Sequence, residues 1–86
     1  MAPMFYTSDL FIHVPQDADG NPMWDLGNMK RVVVRDFKGK TYIDIREYYV
    51  DKNTMETKPG KKGITLNCQQ FQKLRSIIDE IDHELP

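Results

Sequence analysis

Phe71, Leu74, Ile77, Ile78, Ile81 and Leu85 recur at spacings of three and four, which lays one apolar stripe along a helix and leaves its other side charged. A stripe of this kind persists only when something covers it. The helix start is well marked: Asn67 is suited to cap the first free amides, and Gln70 follows three positions on, the pattern of a capping box. From Cys68 to Leu85 such a helix is roughly 27 Å long at about 1.5 Å per residue, enough to cover one face of a sheet. With 86 residues the chain is a single domain, and domains near this size often recruit a disulfide, a metal or a partner subunit. One cysteine, Cys68, excludes an intrachain disulfide, and His13 and His83 have no Cys/His cluster near them. No metal and no cofactor is therefore expected. Association is the remaining aid.

The sheet that would sit under the helix is legible upstream. From Met29 the chain carries Val32, Val33, Val34 and Phe37, then Tyr42, Ile43, Ile45, Tyr48, Tyr49 and Val50, with charges interleaved. β-Branched and aromatic residues in this texture predict two strands. Lys38-Gly39-Lys40 between them is short enough for a hairpin turn in which Gly39 takes a positive φ at no steric cost. A second turn is expected from Asp51 to about Thr54, and a third at Pro59-Gly60, before the short apolar stretch Gly63 to Leu66. The expected fold is α+β: four antiparallel strands in meander order, the third and fourth short, followed by a C-terminal helix (ββββα). Residues 28–86 would form this domain, and residues 1–27 an acidic, aromatic leader. Within the leader, Leu10, Ile12 and Val14 alternate as in a short strand, and Asp19-Gly20 marks a turn. No apolar run approaches the roughly 20 residues that cross a bilayer, so no membrane association is expected. Neither does the N-terminus read as a secretory signal.

The formal net charge of −1 conceals a strong segregation. Between Asn28 and Leu66 ten basic residues face five acidic ones, a local charge of +5, while the flanks carry two against eight, a local charge of −6. A basic centre with acidic ends fits a local anion-binding surface; a mixed solvated surface is the plainer alternative. Enzymatic chemistry has little to work with: the sequence offers no nucleophile motif, no glycine-rich phosphate loop and no metal-ligand cluster. Cys68 at the first helical turn reads as structural. Asp79, Glu80, Asp82 and Glu84 read as the solvated side of the helix.

A more specific constellation lies on the strands. On an ideal first strand Arg31, Val33, Arg35 and Phe37 share one face, and Lys30, Val32, Val34 and Asp36 share the other. Arg35 is placed to meet a phosphate while Phe37 offers a flat ring to an unpaired base. Lys38 and Lys40 in the turn, Arg46 on the next strand and Lys61 with Lys62 further on would complete a groove for a single strand. The competing assignment puts Phe37 in the core and leaves the lysines to keep an edge soluble.

The runs VRDFKGK (Val34 to Lys40), IDIREY (Ile43 to Tyr48) and KPGKKG (Lys58 to Gly63) closely resemble the transcriptional coactivator family called positive cofactor four, over roughly Leu26 to Ile81. The resemblance implies a homodimer formed largely through the C-terminal helix, that is through Phe71, Leu74, Ile77, Ile78 and Ile81. It also implies two channels for single-stranded or melted DNA, read with low sequence specificity, in support of RNA polymerase II transcription in the nucleus and alongside proteins of the transcription machinery. The family's channel motif falls on Arg35, Phe37, Lys38, Gly39, Lys40, Arg46, Lys61 and Lys62, with Lys30 as a further cation. Tyr49 stands where the family typically places a stacking tryptophan, and offers a smaller ring. Simple alternation puts Tyr49 on the face of Ile43 and Ile45, so a bulge would be needed to bring it to the channel. A protein-interaction module, or binding of single-stranded RNA, are the alternatives.

Overall fold

Two tight turns, each needing left-handed backbone, fix how the strands pair. In the computed structural model, which describes residues 14–86, Lys38 (φ 52°) and Gly39 (φ 79°) form one, and Asn28 (φ 52°) and Met29 (φ 64°) the other. Two successive positive φ values are the signature of the two-residue hairpin loop whose twist matches that of the flanking strands. The strands they connect are β1 (Met23–Gly27), β2 (Lys30–Phe37) and β3 (Lys40–Val50), with β4 (Thr57–Asn67) beyond a longer turn. All pair antiparallel in the order β1-β2-β3-β4. Helix α1 (Cys68–His83) follows directly. In the turn from β3 to β4 the Asp51 carboxylate accepts from the Asn53 amide and pairs with Lys58 Nζ at 2.8 Å.

The four-stranded meander and the C-terminal helix are as expected, but the third and fourth strands, expected short, are 11 residues each, and the helix stops at His83, so Leu85 of the expected stripe lies beyond it; two strand positions also differ. The first strand, β1, falls in the segment set apart as a leader, and it pairs Met23 with Val33 and Trp24 with Val32. The last strand runs through Pro59-Gly60 rather than turning there. Proline lacks an amide hydrogen, yet β4 has a neighbour on one side only, and an edge strand accommodates that loss. Gly60, Lys61 and Lys62 are looped out between the pairs Tyr48↔Pro59 and Arg46↔Gly63. The turn at Asp19-Gly20 is present, with Gly20 at φ 83° and the Asp17 carboxylate accepting from the amides of Asp19 and Asn21. Of the strand expected at Leu10, Ile12 and Val14, only Val14 lies within the described residues.

Period-2 alternation gives the sheet two unlike faces. One carries Val32, Val34, Ile43, Ile45, Ile64 and Leu66 by register; the other carries Arg31, Val33, Arg35, Phe37, Tyr42, Asp44 and Arg46. Helix α1 packs against β3 and β4, and none of its residues reaches the open groove on the polar face. The core is thin: among the described residues only Val33, Ile43 and Tyr48 are buried hydrophobics. Phe71, Leu74 and Ile77 are half-buried, while Ile78 and Ile81 on the same stripe are exposed.

The helix is started by its cap. Asn67 Oδ1 accepts from the Gln70 amide at 2.8 Å, and Gln70 Oε1 accepts from the Asn67 amide at 2.9 Å, so two of the free amides are paired reciprocally. Because β4 ends at Asn67, this cap also sets the angle at which α1 leaves the sheet. We expect Asn67→Ala to lower unfolding free energy by about 1 kcal/mol, read as a fall in the denaturant midpoint with the slope unchanged.

Candidate nucleic-acid interface

On the polar face of the sheet lies an open groove of about 470 Å³, lined by Arg35 and Phe37 from β2, Tyr42, Asp44 and Arg46 from β3, and Pro59, Gly60 and Thr65 from β4. The pairing explains the assembly: Arg35 stands opposite Tyr42, Val33 opposite Asp44, and Asp44 opposite Thr65, so each pair projects to the same side. The groove continues past Pro59 into a second hollow of about 380 Å³ shared by Arg31, Arg35, Tyr48, Asp17 and Asp19. There the Arg31 guanidinium lies 4.9 Å from the centre of the Tyr48 ring.

Phe37 belongs to the surface. It is 60% exposed, at the hairpin end of the groove, with Lys38 Nζ 5.3 Å from its ring centre and Lys40 paired opposite it. An exposed phenyl ring is not there to fill a core, and its face is open to a flat partner. Lys38 and Gly39 form the turn beside it and Lys40 opens β3, while Lys61 and Lys62 are carried by the loop-out of β4 next to Gly60.

At the floor is an acid. Asp44 is 4% exposed and accepts from Arg46 Nε and Nη2, both at 3.0 Å, and from Thr65 Oγ1 at 2.8 Å, with Arg35 Nη2 3.5 Å away. Burial by itself pushes the Asp44 carboxyl up, but the hydrogen bonds from Arg46 and Thr65 and the charges of Arg46 and Arg35 outweigh it, so its pKa lies below the ordinary carboxylate value. The same pairing raises the Arg46 guanidinium further. The two arginines differ in what they have left. Arg46 also donates from Nη1 to the carbonyls of Gly60 and Lys61, each at 3.2 Å. Arg35 has a buried Nε with no hydrogen-bond partner among the described residues, and a side chain 41% exposed.

The family model described as Transcriptional Coactivator p15 (PC4) matches residues 24–77. This chain belongs to the PC4 family. It is a family of coactivators, not of enzymes. The RNA polymerase II transcriptional coactivator SUB1 of Saccharomyces cerevisiae is 52% identical over 61 residues, covering 67% of this chain and 21% of the relative. The RNA polymerase II transcriptional coactivator KIWI of Arabidopsis thaliana is 43% identical, covering 71% of this chain and 55% of its own, and the coactivator of Drosophila melanogaster is 38% identical, covering 78% and 61%. The chain thus spans less than two thirds of the length of each of these relatives. Among solved structures, a MoSub1–DNA complex superposes with a TM-score of 0.74 at 42% identity, covering 83% of this chain and 88% of that one. A MoSub1–ssDNA complex gives 0.75 at 41% identity, covering 83% of each.

Of the residues singled out in the sequence, the PC4 fold brings Arg35, Phe37 and Arg46 into the groove and Lys38, Gly39 and Lys40 to one end of it; Lys61 and Lys62 follow Gly60 without lining the groove, and Lys62 lines a separate hollow with Lys30, Ile45, Arg46 and Glu47. Two others stand apart. Lys30 faces the other way, 4.0 Å from Glu47, as strand alternation requires. Tyr49 lines neither hollow: the extra residues are in β4 and not in β3, so alternation keeps Tyr49 on the side opposite Tyr48. Tyr42, Asp44 and Thr65 line the groove without having been singled out. The signal for Asp44 was a charge between Ile43 and Ile45, in a strand where one face is apolar.

A carboxylate with a depressed pKa stabilises the fold above its unfolded value of about 3.9, and that contribution fades as pH falls through the lower folded value. Chemical denaturation between about pH 5 and pH 2 should therefore show a steeper acid loss of stability for the wild type than for Asp44→Asn, which has no proton to take up at this position.

Proposed function

We propose that the chain binds single-stranded DNA in this groove as a homodimer, and serves in the nucleus as a coactivator of RNA polymerase II transcription. The observation that carries this is the exposed Phe37 ring at one end of an open groove whose Arg35 side chain is 41% exposed and held only by a 3.5 Å contact to Asp44. An unpaired base presents its face to such a ring, and a duplex hides it. The cations around the groove supply attraction to phosphates that does not depend on sequence. The PC4 family assignment, the coactivator relatives and the solved MoSub1–ssDNA complex support the same reading. So does the local charge: Lys38, Lys40, Lys61 and Lys62 make no ion pair among the described residues.

The homodimer is supported by the thin core. Ile78 and Ile81 on α1, with Trp24 and Ile64 on the sheet, expose 40% or more of their surface, and a self-complementary second copy would cover such a set at once. Phe71, Leu74 and Ile77 would continue that interface inward. Two copies also present two grooves, which raises affinity for a strand long enough to engage both. Sedimentation equilibrium should return about twice the chain mass of 10.1 kDa, and Ile78→Asp should shift the population toward monomer.

Fluorescence anisotropy of a labelled oligonucleotide of about 20 bases, single-stranded against the matching duplex, tests the binding. We expect the single strand to bind more tightly, with affinity falling as salt rises. Phe37→Ala should weaken single-strand binding by about 1 to 3 kcal/mol with an unchanged melting temperature. Equal affinity for both forms, or no binding at low salt, would exclude this function.

A further inference from the structure

Although Arg46 sits in the groove, its donors point into the protein. Its fork is occupied on two sides: Nε and Nη2 by the two oxygens of Asp44, and Nη1 by the carbonyls of Gly60 and Lys61. All but one of its N–H groups are thereby committed. Those two carbonyls belong to the loop-out of β4, where Gly60, Lys61 and Lys62 have only Glu47 opposite them. Residues displaced from a ladder in this way lose their cross-strand partners, and their carbonyls need another donor. Arg46 supplies it.

The opposing strand is shaped for this. Gly63 pairs with Arg46, and a Cβ at Gly63 would lie 2.8 Å from both Cβ and Cγ of Arg46. Only glycine lets the arginine stem cross β4 at that level. Asp44 completes the arrangement from the other side, buried and bidentate, so that the guanidinium can neither rotate outward nor leave without stranding a carboxylate. Arg35, by contrast, has one contact at 3.5 Å, and its side chain is 41% exposed against 21% for Arg46.

Resting on the single-strand reading above, we infer that Arg46 is a positioning residue: held by Asp44 and Gly63, it staples the β4 loop-out and thereby presents Lys61 and Lys62 to phosphates, while Arg35 is the groove arginine that meets a phosphate itself. The KPGKKG run is then one device. Gly63 admits the staple, Lys61 and Lys62 carry the charge, and Arg46 fixes the backbone before them.

Arg46→Lys separates the two roles, because it keeps a cation for a phosphate but removes the fork that spans a carboxylate and two carbonyls. Anisotropy titrations of the full chain over a range of salt concentrations, with wild type, Arg46→Lys, Lys61→Ala/Lys62→Ala and the triple variant, provide the readout. Each phosphate contact on a single strand contributes about 0.7 to the slope of log affinity against log salt. We expect Arg46→Lys to lower the slope as the double alanine variant does, by about 1.4 for two contacts. It should weaken wild-type binding by about tenfold yet leave affinity nearly unchanged when added to the double alanine variant. An unchanged slope, or equal weakening in both backgrounds, overturns the inference. Asp44→Asn gives an independent sign: removing a negative charge from a polyanion site tightens binding if Asp44 merely repels phosphates, and weakens it if Asp44 anchors the staple. A wild type that binds no single strand overturns both this inference and the function it rests on. A wild type that binds while Arg46→Lys behaves like it overturns the inference alone.

Discussion

Asp44 places a carboxylate, almost wholly out of water, between three strands: on β3, within 3.5 Å of a guanidinium from β2 and hydrogen-bonded to a hydroxyl from β4. A charge in that position is costly unless every lone pair is used, and here two arginines and a threonine use them. The consequence reaches beyond neutralisation. Both groove arginines take their orientation from one acid, and through Arg46 the irregular part of β4 takes its conformation as well. The cation-bearing face thus rests on Asp44 as a polar anchor set beside the buried Val33 and Tyr48, which is how a sheet this small can present cations on one side without losing its shape.

The other side is the less completely covered of the two. Of the three buried hydrophobics among the described residues only Ile43 lies there by register, and a single 16-residue helix leaves Trp24 and Ile64 on that face exposed. The half-buried stripe on α1 and the exposed Trp24 and Ile64 follow from the same geometry: alternation gives each strand only every second residue for the apolar face. Small domains meet this shortage by association. The proposed binding and the proposed self-association are in that sense linked, since each strand residue given to the groove is one that the apolar side lacks.

How much of this was legible in the sequence depends on how local the cause is. The hairpin at Lys38-Gly39, the capping box at Asn67 and Gln70, and the stripe from Phe71 onward are set by neighbours a few residues apart, and all appear where the sequence put them. β1 was hidden because Trp24 and Leu26 stand among Asp, Gly and Pro, and pairing with β2 is what makes that segment extended. Pro59-Gly60 read as a turn because an edge strand with a loop-out uses the same residues as a turn. Phe37 could be assigned to the core or to the surface until its neighbours in space were known, and it lies on the surface. Tyr49 shows the limit most sharply, since its side of the sheet hangs on which of two paired strands holds the extra residues, and no single-strand pattern carries that information.

The net charge of −1 and the proposed affinity for a polyanion are reconciled by where the acids go. Within the basic centre, Asp44 is taken by Arg46, Asp51 by Lys58 at 2.8 Å, and Glu47 lies 4.0 Å from Lys30, while Asp36 accepts from the Thr41 hydroxyl at 2.7 Å. The cations so occupied are Arg46, Lys58 and Lys30, with Arg35 3.5 Å from Asp44 as well; those left over are Arg31 on β2, Lys38 and Lys40 at the hairpin, Lys52 in the turn after β3, and Lys61 and Lys62 at the loop-out. The flanking acids lie outside that span, except where the Asp17 turn reaches the second hollow beside Arg35. Screening over about 8 Å at physiological salt separates such regions electrically, so the proposed ligand strand would meet the local excess of positive charge and not the sum over the chain.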